Sequence, residues 1–75
     1  MRVNYEVEVD AKELDTRGKH QYLVALCCGG IMEDPEIRYQ NFQCIKADTE
    51  QEAVETYNKI NLCSYYYGKV IKQLS

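Results

Sequence analysis

Apolar and polar residues alternate without interruption over residues 2–10. Val3, Tyr5, Val7 and Val9 share one side, and Arg2, Asn4, Glu6, Glu8 and Asp10 share the other. A period of two marks a half-buried strand, here with an acidic, wet face. Residues 11–19 break the pattern, and Arg17-Gly18 is the expected turn. Residues 20–28 alternate again but are apolar on both sides, with Tyr22, Val24, Leu26 and Cys28 on one and Leu23, Ala25 and Cys27 on the other. Such a strand belongs in the middle of a sheet with both faces covered, and Gly29-Gly30 ends it. A third run, residues 36–46, slips phase: Ile37 and Tyr39 lie on one face while Phe42 and Cys44 fall one step out of register. A bulge near Gln40-Asn41 would reconcile the two halves. Residues 64–74 predict a fourth strand, with Gly68 marking a bulge or a close backbone approach.

Between the third and fourth strands the period changes from two to 3.6. Ala53, Val54, Tyr57 and Ile60 form one apolar stripe over residues 48–61, which predicts a helix. Asp48 is the expected N-cap, with Gln51 completing a capping box. Glu50 and Glu52 suit the positive end of the helix dipole and Lys59 the negative end. Glu55 and Lys59 make a favourable i, i+4 pair, and Asn61 suits a left-handed C-terminal cap.

These elements predict an α+β fold in one domain spanning residues 1–75: a single four-stranded, mainly antiparallel sheet, β-β-β-α-β, with one helix packed on one face. The expected strand order is 4-1-2-3, the last strand returning through a right-handed crossover parallel to the first or third. An imbalance follows. One helix covers one sheet face, yet the second and fourth strands are apolar or aromatic on both. Left bare, Leu23, Ala25, Cys27 and some of the tyrosines would form a larger patch than soluble monomers usually show. A homodimer contact or a partner site accounts for that patch; the competing account is that residues 11–19, with Leu14, fold over part of it.

Charge and composition narrow the partners. Twelve acids against nine bases give a formal net charge of −3, which argues against direct nucleic-acid binding through phosphates. No apolar run approaches the ~20 residues of a membrane span, and the first residues carry no secretory h-region, so a soluble, cytoplasmic protein with reduced thiols is expected. The four cysteines include the adjacent pair Cys27-Cys28, with Cys44 and Cys63 isolated. No C-x₂-C pair exists, and neighbours on a strand point apart, so buried thiols rather than a metal centre are expected. His20 is the lone histidine and lacks a recognisable nucleophile and orienting carboxylate; neither catalytic residues nor a cofactor are expected. Cys28-Gly29-Gly30-Ile31 lacks the lysine and hydroxyl of a phosphate loop. The acids Glu33, Asp34 and Glu36 lack calcium-loop spacing and read as a solvated hairpin tip.

Tyrosine is the strongest compositional hint. Seven of the eight aromatic residues are Tyr, three of them consecutive at Tyr65, Tyr66 and Tyr67. Tyrosine offers a large contact area with a polar tip at low entropic cost, which suits recognition surfaces. Packing of Tyr65 and Tyr67 beneath the helix is the plainer alternative. On this basis Leu23, Tyr65, Tyr66 and Tyr67 are the expected partner-binding residues.

The run Lys46-Ala47-Asp48-Thr49-Glu50-Gln51-Glu52-Ala53, followed by Cys63-Ser64-Tyr65-Tyr66-Tyr67-Gly68-Lys69-Val70, resembles the helix and final strand of small phage- or prophage-encoded anti-defence proteins, including some anti-CRISPR inhibitors of one sheet and one helix. The resemblance covers the last 30 or so residues and implies a non-catalytic inhibitor that blocks a host protein or protein complex by surface binding, in the host cytoplasm. The alternative class is a homo-oligomeric binder of a small molecule or nucleotide whose pocket forms between subunits.

Overall fold

The computed structural model describes residues 1–30, 32–33, 35–61 and 67–75. Its elements are β1 (Arg2–Asn4), β2 (Glu8–Asp10), β3 (Lys12–Glu13), β4 (His20–Cys28), β5 (Arg38–Ala47), α1 (Glu50–Ile60) and β6 (Tyr67–Gln73). β3, β5, β4 and β6 form a four-stranded sheet in that order, and β1 with β2 forms a separate two-stranded antiparallel ribbon. The fold is α+β and mostly antiparallel, but it has two sheets where the sequence pattern suggested one.

The difference begins at residues 2–10. This stretch is not one strand but a hairpin that turns at residues 5–7, pairing Val3 with Val9. Paired residues lie on the same face, so folding the stretch back on itself keeps every apolar side chain on one side. Alternation therefore reads the same for one strand and for two short arms. No glycine or proline marks the turn; a Tyr5 N–H to Val7 carbonyl bond of 3.3 Å helps close it.

The hairpin is the cover for the second face. Val3, Ala11, Leu23 and Cys44 form one buried cluster, with Tyr5, Val9, Phe42, Ile71 and Leu74 packed around it. On the opposite face Tyr22, Val24, Ile45 and Ala47 meet Ala53 and Tyr57 of the helix, with Leu14, Leu26 and Val70 at the margin. β4 is thus central and covered on both sides, as its two apolar faces require, and the molecule is built as hairpin, sheet and helix in three layers. The strand order 4-1-2-3 is corrected accordingly. β5 and β6 flank β4, each antiparallel to it, so β6 runs parallel to β5 but with β4 between them. Strand pairing with the first segment, expected for the last strand, is not found among the described residues, where the Lys72 ammonium alone bonds to it, donating to the Asn4 carbonyl at 3.1 Å; β4 offers the longer apolar partner.

Two irregularities lie where the sequence pointed. Val24 pairs with Gln43 and Leu26 with Gln40, so Asn41 and Phe42 together oppose Ala25. Asn41 has φ 56°, a left-handed conformation that asparagine tolerates better than most residues. At Gly68 the helix approaches closely: a Cβ there would lie 2.5 Å from the Tyr57 ring.

The helix begins one residue later than expected. Thr49, not Asp48, is the N-cap, its Oγ1 accepting from the Glu52 N–H at 3.2 Å. Glu52, not Gln51, reaches back, to the Asp48 N–H. Asp48 instead accepts from the Lys19 N–H at 3.0 Å and pins the preceding loop. Asn61 closes the helix at φ −109°, outside the left-handed region, because its side chain and N–H both bond the Tyr57 carbonyl. Ala53 and Tyr57 are fully buried and Val54 is half-buried, whereas Ile60 is 51% exposed. The stripe overshoots the sheet by one turn.

Candidate recognition surface

Of the expected contact residues, Leu23 is corrected outright. It is fully buried beneath the hairpin, as is Ala25 within the sheet, so neither offers a contact to a partner. Tyr67 is 63% exposed. Tyr65 and Tyr66 lie outside the described residues. What remains open on the second face is its far end. There the register sets Tyr39, Cys27 and Tyr67 side by side across β5, β4 and β6, with Cys27 and Tyr39 half-buried. The Lys69 ammonium sits 5.9 Å from the centre of the Tyr39 ring and donates to its hydroxyl at 3.5 Å.

That end of the molecule gathers most of the exposed apolar surface. Among the described residues six large apolar side chains are exposed, and Met1 and Val7 belong to the hairpin. The other four are Met32 in the loop after β4, Ile37 just before β5, Ile60 at the end of α1 and Tyr67 at the start of β6. Cys28 pairs with Arg38 and Cys27 with Tyr67, which places those strand ends together. The Asn58 Oδ1 accepts from the Gly68 N–H at 2.6 Å, which brings the end of α1 to the same place. Gly29 and Gly30, at φ 89° and 78°, turn the chain out of β4 into the loop that carries Met32. Exposed apolar residues at one end, with exposed Glu33, Glu36 and Lys69 in the same segments, have the make-up of an interface rather than a solvated end.

The two sheet edges differ. The outer edge of β5 is occupied by the chain itself: β3 pairs with it in parallel, Leu14 N–H bonds the Cys44 carbonyl at 3.2 Å, and Thr16 Oγ1 accepts from Lys46 N–H at 2.7 Å. Gly18 follows so closely that a Cβ there would collide with the Ala47 backbone. Among the described residues no strand pairs the outer edge of β6. Beside it runs a groove of about 520 Å³ between α1 and β6, lined by Glu50, Gln51, Val54, Tyr67, Gly68, Lys69 and Val70.

A part-buried polar network ties this end together around buried Gln43 and Tyr57. Gln43 and Asn61 exchange two amide bonds at 2.9 and 3.1 Å, and Asn41 Nδ2 donates to Asn61 Oδ1 at 3.0 Å. The Tyr57 hydroxyl donates to the Asn41 carbonyl at 2.8 Å. Every buried side-chain N or O among the described residues has a partner. The bulge and the helix C-terminus are thereby tied together, and the only signals of it along the chain are a glutamine at an inward position of a strand and asparagines at the bulge and cap.

Cys28 and Cys44 are buried, Cys27 is half-buried on the open end of the second face, and Cys63 lies outside the described residues. Cys44 packs with its Sγ 3.7 Å from the Met1 Sδ, and burial pushes its thiol pKa up; Glu13 adds to the shift and the N-terminal ammonium opposes it. Cys28 accepts from Gln40 Nε2 at 3.2 Å. The His20 Nδ1 lies 3.2 Å from the Ser75 carbonyl and 3.3 Å from Gln73 Nε2. No group of three metal-ligating side chains comes together among the described residues, and no helix there is long and apolar enough to cross a membrane. No protein-family model, curated protein or solved structure matches the chain.

Proposed function

We propose that this chain is a non-catalytic protein-binding module that acts by surface contact, as an inhibitor or adaptor directed at a host protein or protein complex. The observation that carries the reading is the polarised end of the molecule, where Met32, Ile37, Ile60 and Tyr67 are each exposed at the ends of β4, β5, α1 and β6, and where Tyr67 opens the unpaired edge of β6. Aromatic and methionine side chains on a rigid base are what interface centres use. The Asn41, Gln43, Tyr57 and Asn61 hydrogen bonds tie the bulge to the helix end beneath this surface, and such cross-links lower the ordering cost of binding. The inhibitor role rests on the resemblance of the helix and last strand to anti-defence proteins; the contact surface rests on the geometry.

Site-directed photo-crosslinking tests it. A photoreactive residue at position 32, 37 or 67 should give a discrete cross-linked species in a lysate of the host cell. The same residue at exposed Glu55, on the far face of α1, should give none. Equal labelling from all positions, or from none, overturns the reading.

A further inference from the structure

We propose that the outer edge of β6 receives an extended segment of a partner protein as an added strand, and that this segment alternates apolar and acidic residues. The inference rests on the protein-binding reading and gives it an occupant. The two edges of the four-stranded sheet are treated differently by the chain: one is covered along residues 12–16, the other has no strand partner among the described residues. An unpaired edge is a template for strand addition, and proteins guard such edges with lysines and bulges. On β6 a lysine stands in each half, Lys69 and Lys72, but the bulge falls in the second half alone. Lys72 pairs with Leu23 and Val70 with Val24, which leaves Ile71 as an extra residue and ends the regular ladder at Val70.

The first half sets the register. The Gly68 N–H is turned away from β4 and taken by Asn58 Oδ1. Ladder groups alternate along a strand, so the N–H and C=O of Val70 face the same outer side. A visiting strand therefore centres on Val70. Its residue opposite Val70 points to the helix side, into the groove lined by Val54, Gln51 and the β6 backbone, and an apolar side chain fits there. Its neighbour opposite Lys69 points to the other face. Lys69 has no carboxylate within ion-pair distance among the described residues; its ammonium rests on the neutral Tyr39 ring and hydroxyl. An acidic side chain is its complement. A second copy paired antiparallel in the same Val70-centred register would set Lys69 opposite Ile71 and supply no carboxylate to its ammonium.

The test uses a capped hexapeptide of alternating valine and glutamate, its valine and lysine counterpart, and a version N-methylated opposite Val70. Amide spectra of the intact protein are followed during titration. The glutamate peptide should move the Lys69 and Val70 signals and bind about three- to fivefold tighter than the lysine peptide, the size of a solvent-exposed ion pair. Lys69→Glu, at an exposed position, should reverse that preference, and N-methylation should abolish binding. Shifts confined to Met32 and Ile37 overturn strand addition while leaving a protein-binding surface in place. No shift with either peptide overturns the inference too, and the crosslinking experiment then decides the broader reading alone. Concentration-dependent shifts of β6 without peptide would make the occupant a second copy and overturn the proposal.

Discussion

Leu23→Ala probes the feature on which everything else depends, the closure of the second sheet face by the N-terminal hairpin. Leu23 is fully buried on the central strand, against Val3, Ala11 and Cys44. Removing its branched end forfeits the transfer free energy of the deleted carbons, ~2 kcal/mol. It also leaves a cavity walled by two sheets, which have little freedom to collapse on it. Leucine truncations at such sites cost ~3–5 kcal/mol in total. A domain of 75 residues has ~4–11 kcal/mol to lose at typical per-residue stabilities. With a urea dependence of ~1 kcal/mol per molar, the unfolding midpoint should fall by ~3 M or the protein should be unfolded in buffer. Tyr67→Ala is the matched control, since its side chain is 63% exposed, and it should shift stability by less than ~0.5 kcal/mol. A Leu23→Ala protein within 1 kcal/mol of wild type would refute the burial of this face.

Three further outcomes follow from separate features. Gly68→Ala should cost ~1–3 kcal/mol by urea titration, because the added methyl meets the Tyr57 ring and the Asn58 Oδ1 at once. Tyr57→Phe removes the donor to the Asn41 carbonyl and should cost ~1 kcal/mol, whereas Asn61→Ala strands the Gln43 amide and should cost ~1–3 kcal/mol, both read in the same titration. The Cys44 thiol has its pKa raised in the fold, so its contribution is complete below the unfolded pKa and is lost as pH rises through the folded one; stability should decline on the alkaline side, and Cys44→Ser should flatten that decline.

The sequence pattern was most informative where one physical cause dominated. β4 is apolar on both faces because it is covered on both, and that much was legible in Leu23 and Val24 alone. The bulge at Asn41 announced itself as a slip of parity, and Gly68 as a missing side chain where the helix ring passes. The hairpin at residues 2–10 was not legible, since a turn that preserves parity leaves the alternation unchanged and no turn residue gives it away. That one omission moved Leu23 from a proposed contact into the core. The helix stripe likewise does not report where the sheet beneath it ends, so Ile60 was assigned to a core that stops at Tyr57. The recognition end is half visible: Tyr67 stands out by composition, but Tyr39 joins it only through strand register, and Ile37 only by preceding the strand that carries Tyr39.

The most direct measurement is an isotope-filtered methyl NOE experiment on an equimolar mixture of labelled and unlabelled protein. The fold places Leu23 in one cluster with Val3 and Ala11 of the same chain. The Leu23 methyls should therefore show strong contacts to Val3 and Ala11 that vanish when the filter selects contacts between molecules. Contacts from Leu23 that survive that filter, together with their absence within one chain, would mean that a second copy covers this face. The hairpin would then not be its cover, and the recognition surface would have to be sought on the open sheet.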